Sequence, residues 1–364
     1  MRFIEIRAQQ YRNIDFAAVP LSQNTYFYGK NGQGKTNLLE GLNFVTALRS
    51  FRTHESNTLI QHGKTMASLY YKIEHEVEGE CEVRIDITPK GKTLQFNQNP
   101  VRQNSDFIGI FPTVAFSSED IHLVRGAPLL RRRFLDLSLA ATDREYLTAL
   151  LRYHKGLKER NALFRHEKLN IAALEAFDAL LAQDAVVLIR KRQQALQELN
   201  ELLESYHNSV SIDEELPQLQ YQPNTEAQDP EHMLAVLQKS RERDYIMKAT
   251  QKGPHRDDFL FRLQSNKAQQ FSSEGQQRTL VIALRLAQVA YFEKKKGIIP
   301  VILADDILGQ LDSRRREAFW KTLDDRYQII CTGTEKPELL DQPSWQFTAV
   351  QNGAYHQEEV LGLS

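Results

Sequence analysis

The hydrophobic pattern at the start of the chain predicts three short strands followed by a helix. Apolar residues alternate with polar ones over Phe3–Ile6. A second, short strand is predicted at Asn13–Phe16, and a third, Thr25–Tyr28, runs directly into Gly29. Over about Lys35–Leu48 the apolar spacing becomes three and four residues, which is typical of a helix with one buried face. The sequence therefore predicts a strand, a glycine-containing turn and a helix.

Residues 67–96 show a different pattern, in which apolar residues recur at every second position. Glu78-Gly79 and Lys90-Gly91 separate the apolar runs. This pattern predicts an antiparallel meander, because alternate side chains of a strand face the same side of its sheet. The apolar run Thr113–Phe116 predicts one more buried strand.

The middle of the chain, residues 121–243, is predicted to be mostly helical. From Ile171 to Tyr206 apolar residues keep three- and four-residue steps, and Arg192 interrupts the stripe. This predicts one helix of about 35 residues, some 50 Å long.

After about Gly253 the pattern of alternating strands and helices returns. Strands are predicted at Asp258–Leu263, Pro300–Asp305 and Gln328–Thr332, and helices at about Gln277–Lys294 and Arg314–Leu323. We therefore expect an α/β lobe interrupted by a helical insertion. The expected segments are residues 1–120, 121–250 and 251–364, the last of which completes the α/β lobe.

Composition and charge exclude several classes of protein. The chain has 364 residues with 46 basic and 47 acidic side chains, a net charge of −1, which excludes a polybasic DNA-coating protein but not a local basic face. Its two cysteines, Cys81 and Cys331, are too few for a disulfide framework or a zinc site built on CxxC pairs. No apolar run approaches the ~20 residues of a membrane span. We expect a soluble cytoplasmic protein with no membrane association.

The clearest candidate for chemistry is a phosphate-binding loop. The segment GKNGQGKT fits the pattern G-x-x-x-x-G-K-S/T, with a strand before it and a helix after it. Glycines let main-chain N–H groups turn toward an anion, and the helix N-terminus adds a partial positive charge. The residues expected to bind ATP are Gly29, Lys30, Asn31, Gly32, Gln33, Gly34, Lys35 and Thr36. Lys35 would reach the β- and γ-phosphates, and the Thr36 hydroxyl would bind Mg²⁺.

A second part of the same site is predicted far along the chain. The apolar run Val301–Ala304 ends in Asp305 and Asp306, as in a Walker B strand. Asp305 would hold Mg²⁺ together with Thr36, and Asp306 would orient or deprotonate an attacking water. Lys35, Asp305 and Asp306 are thus the expected catalytic residues.

A serine and a glycine precede the predicted helix that begins near Gln277. Ser273 and Gly275, followed by Gln276, offer hydroxyl and N–H donors to a phosphate at a helix N-terminus. Taken alone, the segment could equally be an ordinary helix cap with Ser273 at the N-cap position.

Charge is unevenly distributed in the helical part. Residues 121–192 carry 14 Lys/Arg against 8 Asp/Glu, a net charge of +6, whereas residues 201–240 carry 1 against 8, a net charge of −7. The pattern fits either a solvated helical lobe with patchy faces or a cationic surface for a polyanion. In the second case Arg131-Arg132-Arg133 and Arg190-Lys191-Arg192 are the densest points.

Taken together, the motifs resemble the head of ABC-type ATPases, and the long spacing between P-loop and Walker B resembles the branch of SMC and RecF proteins. Over essentially the whole chain the sequence is similar to the RecF family of bacterial DNA replication and repair proteins. The matching segments are Tyr11-Arg12-Asn13, Gly29–Thr36, Phe116–Asp120, Gly126–Asp136, Gly253–Asp258, Ser273–Arg278 and Asp305-Asp306.

The resemblance implies a two-lobed α/β ABC-type head, with a mixed sheet and a meander in one lobe and helices in the other. It implies ATP and Mg²⁺ as cofactors, and a homodimer in which Ser273, Gly275 and Gln276 of one subunit complete the ATP site of the other. It also implies sequence-independent binding of duplex or gapped DNA, and action with RecO and RecR to load RecA. A transporter-like ABC subunit predicts a switch histidine and a short motif spacing, and an SMC arm predicts long heptads; the chain has none of these.

For four residues the sequence allows two roles, one in binding and one in structure. Arg12 and Asn13 follow the first strand and, by resemblance, approach the γ-phosphate, although they could simply form a turn. His255 and Arg256 could contact nucleotide or DNA, or they could be hydrogen-bonded groups at a packing junction.

The chain departs from the family pattern at several positions. Glu274 stands where the family usually has Gln, Gly309 where ABC proteins often have Ser, and Asp306 where they have Glu. The last predicted strand continues into Thr332-Gly333-Thr334 without a switch histidine. These features imply slow hydrolysis, below the typical enzyme rate of about 10 per second, with ATP acting as a timer for dimerisation.

Overall fold

The computed structural model describes residues 1–53, 55–211, 215–307, 312–336 and 345–358. The predicted departure at Gly309 lies outside these residues. Contacts divide the chain into two compact units, unit 1 with residues 1–120 and 288–364, and unit 2 with residues 121–287. Residues 251–287 therefore lie in unit 2, where the strand Asp258–Leu263 pairs with Pro217–Gln222.

Strands and helices are numbered in chain order. The strands are β1 (Arg2–Tyr11), β2 (Ile14–Pro20), β3 (Asn24–Tyr28), β4 (Ala67–His75), β5 (Gly79–Thr88), β6 (Gly91–Phe96), β7 (Asn99–Pro100), β8 (Thr113–Ser117), β9 (Pro217–Gln222), β10 (Asp258–Leu263), β11 (Asn266–Lys267), β12 (Val301–Asp305), β13 (Ile329–Gly333), β14 (Trp345–Gln351) and β15 (Ala354–Gln357). The α-helices are α1 (Lys35–Ala47), α2 (Asn104–Phe107), α3 (His122–Arg125), α4 (Pro128–Thr142), α5 (Arg144–Leu163), α6 (Ile171–Val210), α7 (Pro230–Met247), α8 (Ala268–Phe271), α9 (Glu274–Lys296) and α10 (Ser313–Thr322).

Unit 1 contains a mixed sheet in the order β15-β14-β3-β13-β12-β8. All neighbouring strands are parallel except β15, which is antiparallel to β14. Every residue of β8, β12 and β13 is buried, as expected for parallel strands covered on both faces. This order brings the carboxyl ends of β3, β13 and β12 to one edge.

The second sheet of unit 1 has the order β2-β1-β4-β5-β6-β7 and contains the predicted meander as β4, β5 and β6, which β1, β2 and β7 extend. Helix α1 packs between the two sheets, because its apolar residues join both in one core cluster. The Tyr71 hydroxyl of β4 donates to the Gly41 carbonyl of α1 at 2.6 Å. A Cβ atom at Gly41 would lie 3.4 Å from Leu69, so the small residue permits this close packing. The P-loop helix is thereby fixed from both sides.

Unit 2 is helical around a small sheet in the order β11-β10-β9. Its longest element, α6, has 40 residues, about 60 Å at 1.5 Å per residue, and begins where the Asn170 side chain accepts from the Ala173 N–H. Buried residues such as Leu181, Leu188 and Leu199 keep the predicted helical spacing.

Buried charge holds unit 2 together. Arg192, which interrupts the apolar stripe of α6, is 2% exposed. Its guanidinium donates to the carboxylates of Asp136 at 2.7 Å and Asp257 at 3.0 Å, and to the Pro254 carbonyl at 2.6 Å. Asp257 also accepts from the Tyr221 hydroxyl. The segment 253–258 thus connects α4, α6 and β9.

A second buried arginine also pairs with two carboxylates, here both on other helices. Arg160 of α5 is fully buried and pairs with Asp178 of α6 at 2.6 Å and with Asp244 of α7 at 2.7 Å. Three helices are therefore joined by one cation, whose removal would leave two carboxylates without their counter-charge.

His255 is a packing group of unit 2. Its ring Nε2 lies 3.0 Å from the Thr250 carbonyl, so Nδ1 is the acceptor for the Tyr153 hydroxyl at 2.8 Å. Burial lowers the pKa of His255 to about 4, and the ring is neutral at pH 7. Arg256 donates to the same Thr250 carbonyl at 3.0 Å, although its side chain is largely exposed.

The predicted strands and helices are present, and the fold class is confirmed. Besides the elements of two to four residues β7, β11, α2 and α8, two features escaped the sequence analysis, namely β9 within the segment predicted to be helical, and the hairpin β14–β15. Among the described residues, no helix is long and apolar enough to span a membrane.

Candidate nucleotide-binding site

The P-loop connects β3 to α1 through a backbone that needs glycine. Gly34 caps α1 with a φ of 117°, a conformation that L side chains rarely adopt. A Cβ atom at Gly29 would lie 2.4 Å from the Val350 carbonyl oxygen. Any larger residue at position 29 would therefore displace the loop.

Lys35, the first residue of α1, folds back over this loop. Its Nζ donates to the carbonyls of Gly29 and Lys30, at 2.9 Å for the second. Burial lowers the pKa of Lys35, an effect that the nearby carboxylates of Asp306 and Asp305 oppose. The side chain is only 6% exposed, so its cationic head is held at the concave side of the loop.

Thr36 and Asp305 meet at the edge of the sheet. The Thr36 hydroxyl donates to Asp305 Oδ1 at 2.8 Å, and the Thr332 hydroxyl of β13 donates to the same oxygen at 2.8 Å. Burial raises the pKa of Asp305, against the opposing effect of these two bonds. A buried carboxylate beside a hydroxyl therefore lacks a full counter-charge.

These two oxygens fit Mg²⁺. Magnesium prefers hard oxygen ligands and is usually held by one or two protein groups together with substrate phosphates and water. Among the described residues, no cluster of three or more His, Cys, Asp or Glu side chains could hold a metal by itself. The donor set of Thr36 and Asp305 therefore suits a metal that arrives with a nucleotide.

Asp306 lies just beyond the strand, in an unusual backbone conformation. Its φ is 51°, and its N–H donates to the Thr332 hydroxyl at 3.0 Å. Burial raises the pKa of Asp306, and Lys35 opposes this rise. A raised pKa makes the carboxylate a better proton acceptor than an ordinary aspartate.

The hairpin β14–β15 supports the P-loop from outside. The Gly353 N–H donates to the Gln33 carbonyl at 2.9 Å, and the Tyr355 hydroxyl donates to the Gly34 carbonyl at 3.0 Å. The Asn352-Gly353 turn, with φ values of 50° and 78°, is a hairpin signal that the sequence analysis could have used. Its contact with the loop has no local signal in the sequence.

Asn13 and Arg12 lie beside the loop but have different partners. The Asn13 side-chain amide donates to the Gly32 carbonyl at 3.2 Å. Arg12 instead makes a two-pronged ion pair with Glu40 of α1, at 2.7 and 2.9 Å. Glu40 is fully buried and was missed by the sequence analysis. The predicted approach of Arg12 and Asn13 to the γ-phosphate stays a prediction.

A polar groove of about 680 Å³ continues from Asn13. Its lining includes Asn37, Arg52, His62 and Lys64. The groove therefore offers hydrogen-bonding groups and cationic groups beside the P-loop.

Ser273 and Gln276, at the start of α9 in unit 2, form a capping box, and Gly275 lies between them in the first turn of the helix. The Ser273 N–H donates to Gln276 Oε1 at 2.6 Å, and the Gln276 N–H donates to the Ser273 hydroxyl at 3.3 Å. The Gln276 amide also donates to Glu215. The segment is therefore a helix cap, and the predicted contact of Ser273 and Gly275 with a partner's phosphate stays a prediction.

Glu274 is paired rather than isolated. Its carboxylate lies 2.7 Å from Arg278 and 3.5 Å from Arg125, and these two arginines lower the pKa of Glu274. The carboxylate that departs from the family pattern is thus partly neutralised by its neighbours.

At the two arginine clusters the structure favours the first of the two predicted alternatives, a helical lobe with patchy faces, over a cationic surface. Arg131 is 4% exposed and pairs with Asp258 at 2.8 Å, and Arg192 is buried as described above. Arg132 donates to the Asp257 carbonyl at 2.8 Å. Lys191 pairs with Asp143 at 2.7 Å. These cations are used inside unit 2, because acids distant in sequence fold against them.

Comparisons with known proteins fit this geometry. The RecF/RecN/SMC N terminal domain family matches residues 3–353. The DNA replication and repair protein RecF of Streptococcus thermophilus is 33% identical over 363 residues, covering 98% of this chain and 99% of that protein. The chain belongs to the RecF family. RecF of Thermosynechococcus vestitus is 34% identical, covering 90% of this chain and 89% of that protein.

Solved structures of RecF proteins agree with this assignment. The structure described as the recombination mediator protein RecF-ATP in the RecFOR pathway has a TM-score of 0.90 and 27% identity, covering 98% of this chain and 97% of that chain. The Smc head domain of Pyrococcus furiosus has a TM-score of 0.55 at 15% identity and shows the fold alone. The predicted RecF resemblance and head-ATPase fold are thus confirmed.

Proposed function

We propose that this RecF-family protein is an ATP-dependent DNA-binding protein of replication and recombinational repair. The observation that carries the proposal is the convergence of Lys35, Thr36 and Asp305 at one sheet edge, where Thr36 and Asp305 are 2.8 Å apart. ATP-bound RecF relatives support ATP as the ligand of this P-loop. Because bacterial DNA lies in the cytoplasm, a protein that acts on it is located there as well.

The side chains divide the chemistry of ATP hydrolysis among them. Lys35 neutralises the β- and γ-phosphates, and Thr36 and Asp305 are the residues that would hold Mg²⁺. When bound, Mg²⁺ neutralises charge that develops on the phosphates. Asp306 accepts a proton from the attacking water, and its short side chain favours the slow turnover implied by the sequence.

Closure of two subunits over ATP is the second part of the proposal. Ser273, Gly275 and Gln276 lie at the N-terminal end of a 23-residue helix, where N–H donors suit a phosphate of the partner's nucleotide. Such a dimer would hold DNA near single-strand gaps. RecO and RecR are the proposed partners in loading RecA, since a solved RecF relative is described as a mediator in the RecFOR pathway. No observation favours a transporter-like subunit.

ATP should tighten the binding of this protein to a gapped DNA duplex, and Lys35→Met should abolish that gain. The variant removes the cation that contacts the phosphates, so ATP can no longer promote closure. Fluorescence anisotropy of a labelled gapped duplex, with and without ATP, measures both proteins. Equal DNA affinity with and without ATP for the unmodified protein would contradict the nucleotide-gated part of the proposal.

A cationic rim on unit 1 replaces the arginine clusters as the proposed DNA surface. Arg49 and Arg52 follow α1, Lys64 precedes β4, and Lys90 lies in the turn between β5 and β6; all four are exposed. Arg52, Lys64 and Pro89 line the same groove. Arg49, Lys64 and Lys90 form no ion pair with any residue that the structure describes. A cation without an acidic partner can neutralise a DNA phosphate at no cost to an existing ion pair, and this neutralisation releases counterions without sequence preference.

The triple variant Arg49→Ala, Lys64→Ala, Lys90→Ala should bind DNA more weakly and with less salt dependence. If each cation neutralises one phosphate, the slope of log affinity against log salt should fall by about 3. Anisotropy titrations at several salt concentrations give this slope.

A matched control removes three exposed cations that already have acidic partners. Arg152 pairs with Asp184, Arg190 with Glu145 and Lys321 with Glu317. Changing these three cations to Ala should leave the slope nearly unchanged. An equal loss in both triple variants would show that overall charge, and not the rim, determines DNA binding.

Glu274→Gln should strengthen ATP-dependent self-association. The substitution releases Arg125 and Arg278 from their carboxylate partner, so both cations can face the partner's nucleotide. We expect a dimer about threefold to tenfold tighter, measured by sedimentation at several protein concentrations with ATP. Glu145→Gln is the matched control, because Glu145 is equally exposed and also pairs with an arginine. A weaker dimer in Glu274→Gln would contradict this role.

A further inference from the structure

A groove of about 1170 Å³ runs along α6 in unit 2 and is not part of the nucleotide site. One wall is the face of α6 from Val186 to Glu204, about 27 Å long at 1.5 Å per residue. The other wall is β9 with the residues that follow it. Ile189, Leu196 and Leu219 give the groove an apolar floor.

The wall formed by β9 is the outer edge of a sheet. Asn200 of α6 accepts from the Leu219 N–H at 2.6 Å and donates to the Leu219 carbonyl at 2.9 Å, so this residue's main chain faces away from β10. Tyr221, two residues further along the strand, faces the same way. Its main-chain N–H and carbonyl have no partner among the described residues. The groove thus contains main-chain groups that can pair with an extended chain.

The rim of the groove is acidic. Glu201, Glu204 and Glu226 line it, are exposed, and form no ion pair within the described ranges. Arg190 also lines the groove, but its guanidinium is paired with Glu145 at 3.3 Å. This negative charge repels nucleic acid and attracts cations. The groove is therefore expected to bind a different partner from the DNA proposed for the cationic rim of unit 1.

We propose that this groove binds an extended segment, rich in lysine or arginine, of a partner protein. The length of the groove accommodates about eight residues at the rise of a β-strand. Tyr221 would pair with the main chain of the segment, the apolar floor would receive alternate side chains, and the three glutamates would bind its cationic groups. The partner is therefore recognised on unit 2 by charge and by an extended backbone.

The test uses the full chain and a fluorescein-labelled peptide of alternating lysine and threonine, about ten residues long. Anisotropy at low salt should show saturable binding, which the variant Glu201→Gln, Glu204→Gln, Glu226→Gln weakens about tenfold. Hydrogen exchange gives the position: the Tyr221 amide should become protected when the peptide binds. A peptide with glutamate in place of lysine should not bind.

A second triple variant tests whether the groove is specific. Glu159, Glu167 and Glu242 are exposed glutamates elsewhere in unit 2, and their replacement by Gln removes the same charge. This variant should retain the affinity of the unmodified protein. Absence of saturable binding, equal loss in both triple variants, or an unprotected Tyr221 amide in the complex would each overturn the proposal.

Discussion

Replacing Asp305 with Asn should abolish ATP hydrolysis and, at the same time, stabilise the protein in the absence of nucleotide. Burial raises the pKa of Asp305 above its ordinary value, so its charged form is disfavoured in the folded state. A raised carboxyl pKa imposes a cost that is absent below the unfolded pKa and develops as pH rises through the folded pKa. The cost grows as pH rises from the unfolded pKa toward the folded pKa, and it is complete above the folded pKa. Asn removes it and still accepts from the hydroxyls of Thr36 and Thr332.

Two measurements test the Asp305→Asn substitution. Calorimetry without nucleotide should show a higher Tm, by roughly 2–4 °C for each kcal/mol gained. Hydrolysis should fall by at least about 100-fold, which corresponds to about 2.7 kcal/mol of transition-state stabilisation, because the amide cannot replace a carboxylate as a ligand of Mg²⁺.

Asp306→Asn is the matched control for the metal site. It removes the proposed base but leaves Thr36 and Asp305 in place, so hydrolysis should fall while Mg²⁺-dependent ATP affinity is kept. If Asp305→Asn keeps that affinity as well, or lowers the Tm, the assignment of Asp305 as the buried magnesium ligand is wrong.

The nucleotide site could be predicted because each part has a local signal. The P-loop is a contiguous pattern between a strand and a helix, and Asp305 ends an apolar strand. Once both strands belong to one parallel sheet, their carboxyl ends must lie at the same edge, as Thr36 and Asp305 do. Sequence and sheet geometry together therefore determine this contact.

The ion-pair partners of the arginine clusters could not be predicted from the sequence. Arg131 pairs with Asp258, 127 positions further along the chain, and no local pattern reveals a partner at that distance. A run of cations indicates positive charge but not whether acids fold against it. The interruption of the α6 stripe at Arg192 was visible in the sequence, but its two carboxylate partners were not.

The two missed elements have different physical reasons. Strand β9 lies on the edge of a small sheet and has alternating burial over a few residues, which a polar context conceals. The hairpin β14–β15 has a clear Asn-Gly turn, but its hydrogen bonds to Gln33 and Gly34 depend on the assembled sheet. Support for the P-loop thus comes from tertiary structure alone.

Replacing Arg192 with Met should destabilise unit 2 by about 3–5 kcal/mol. The arginine is 2% exposed and is the shared partner of Asp136 and Asp257. Met fills part of the volume but leaves these carboxylates without the cation that compensates their burial. Urea unfolding of the full chain, followed at a probe in unit 2, measures the change. Adding Asp257→Asn should restore part of the loss, because it removes one of the uncompensated charges.

Arg190→Met is the control for this measurement, on the same helix and two residues earlier. Arg190 lies in an exposed ion pair with Glu145 at 3.3 Å, and its replacement should change the free energy of unfolding by no more than about 0.5 kcal/mol. The comparison separates burial of the charge from loss of an arginine on α6. Equal costs for the two substitutions would show that unit 2 does not depend on the buried network, and that the segment 253–258 is held by packing alone.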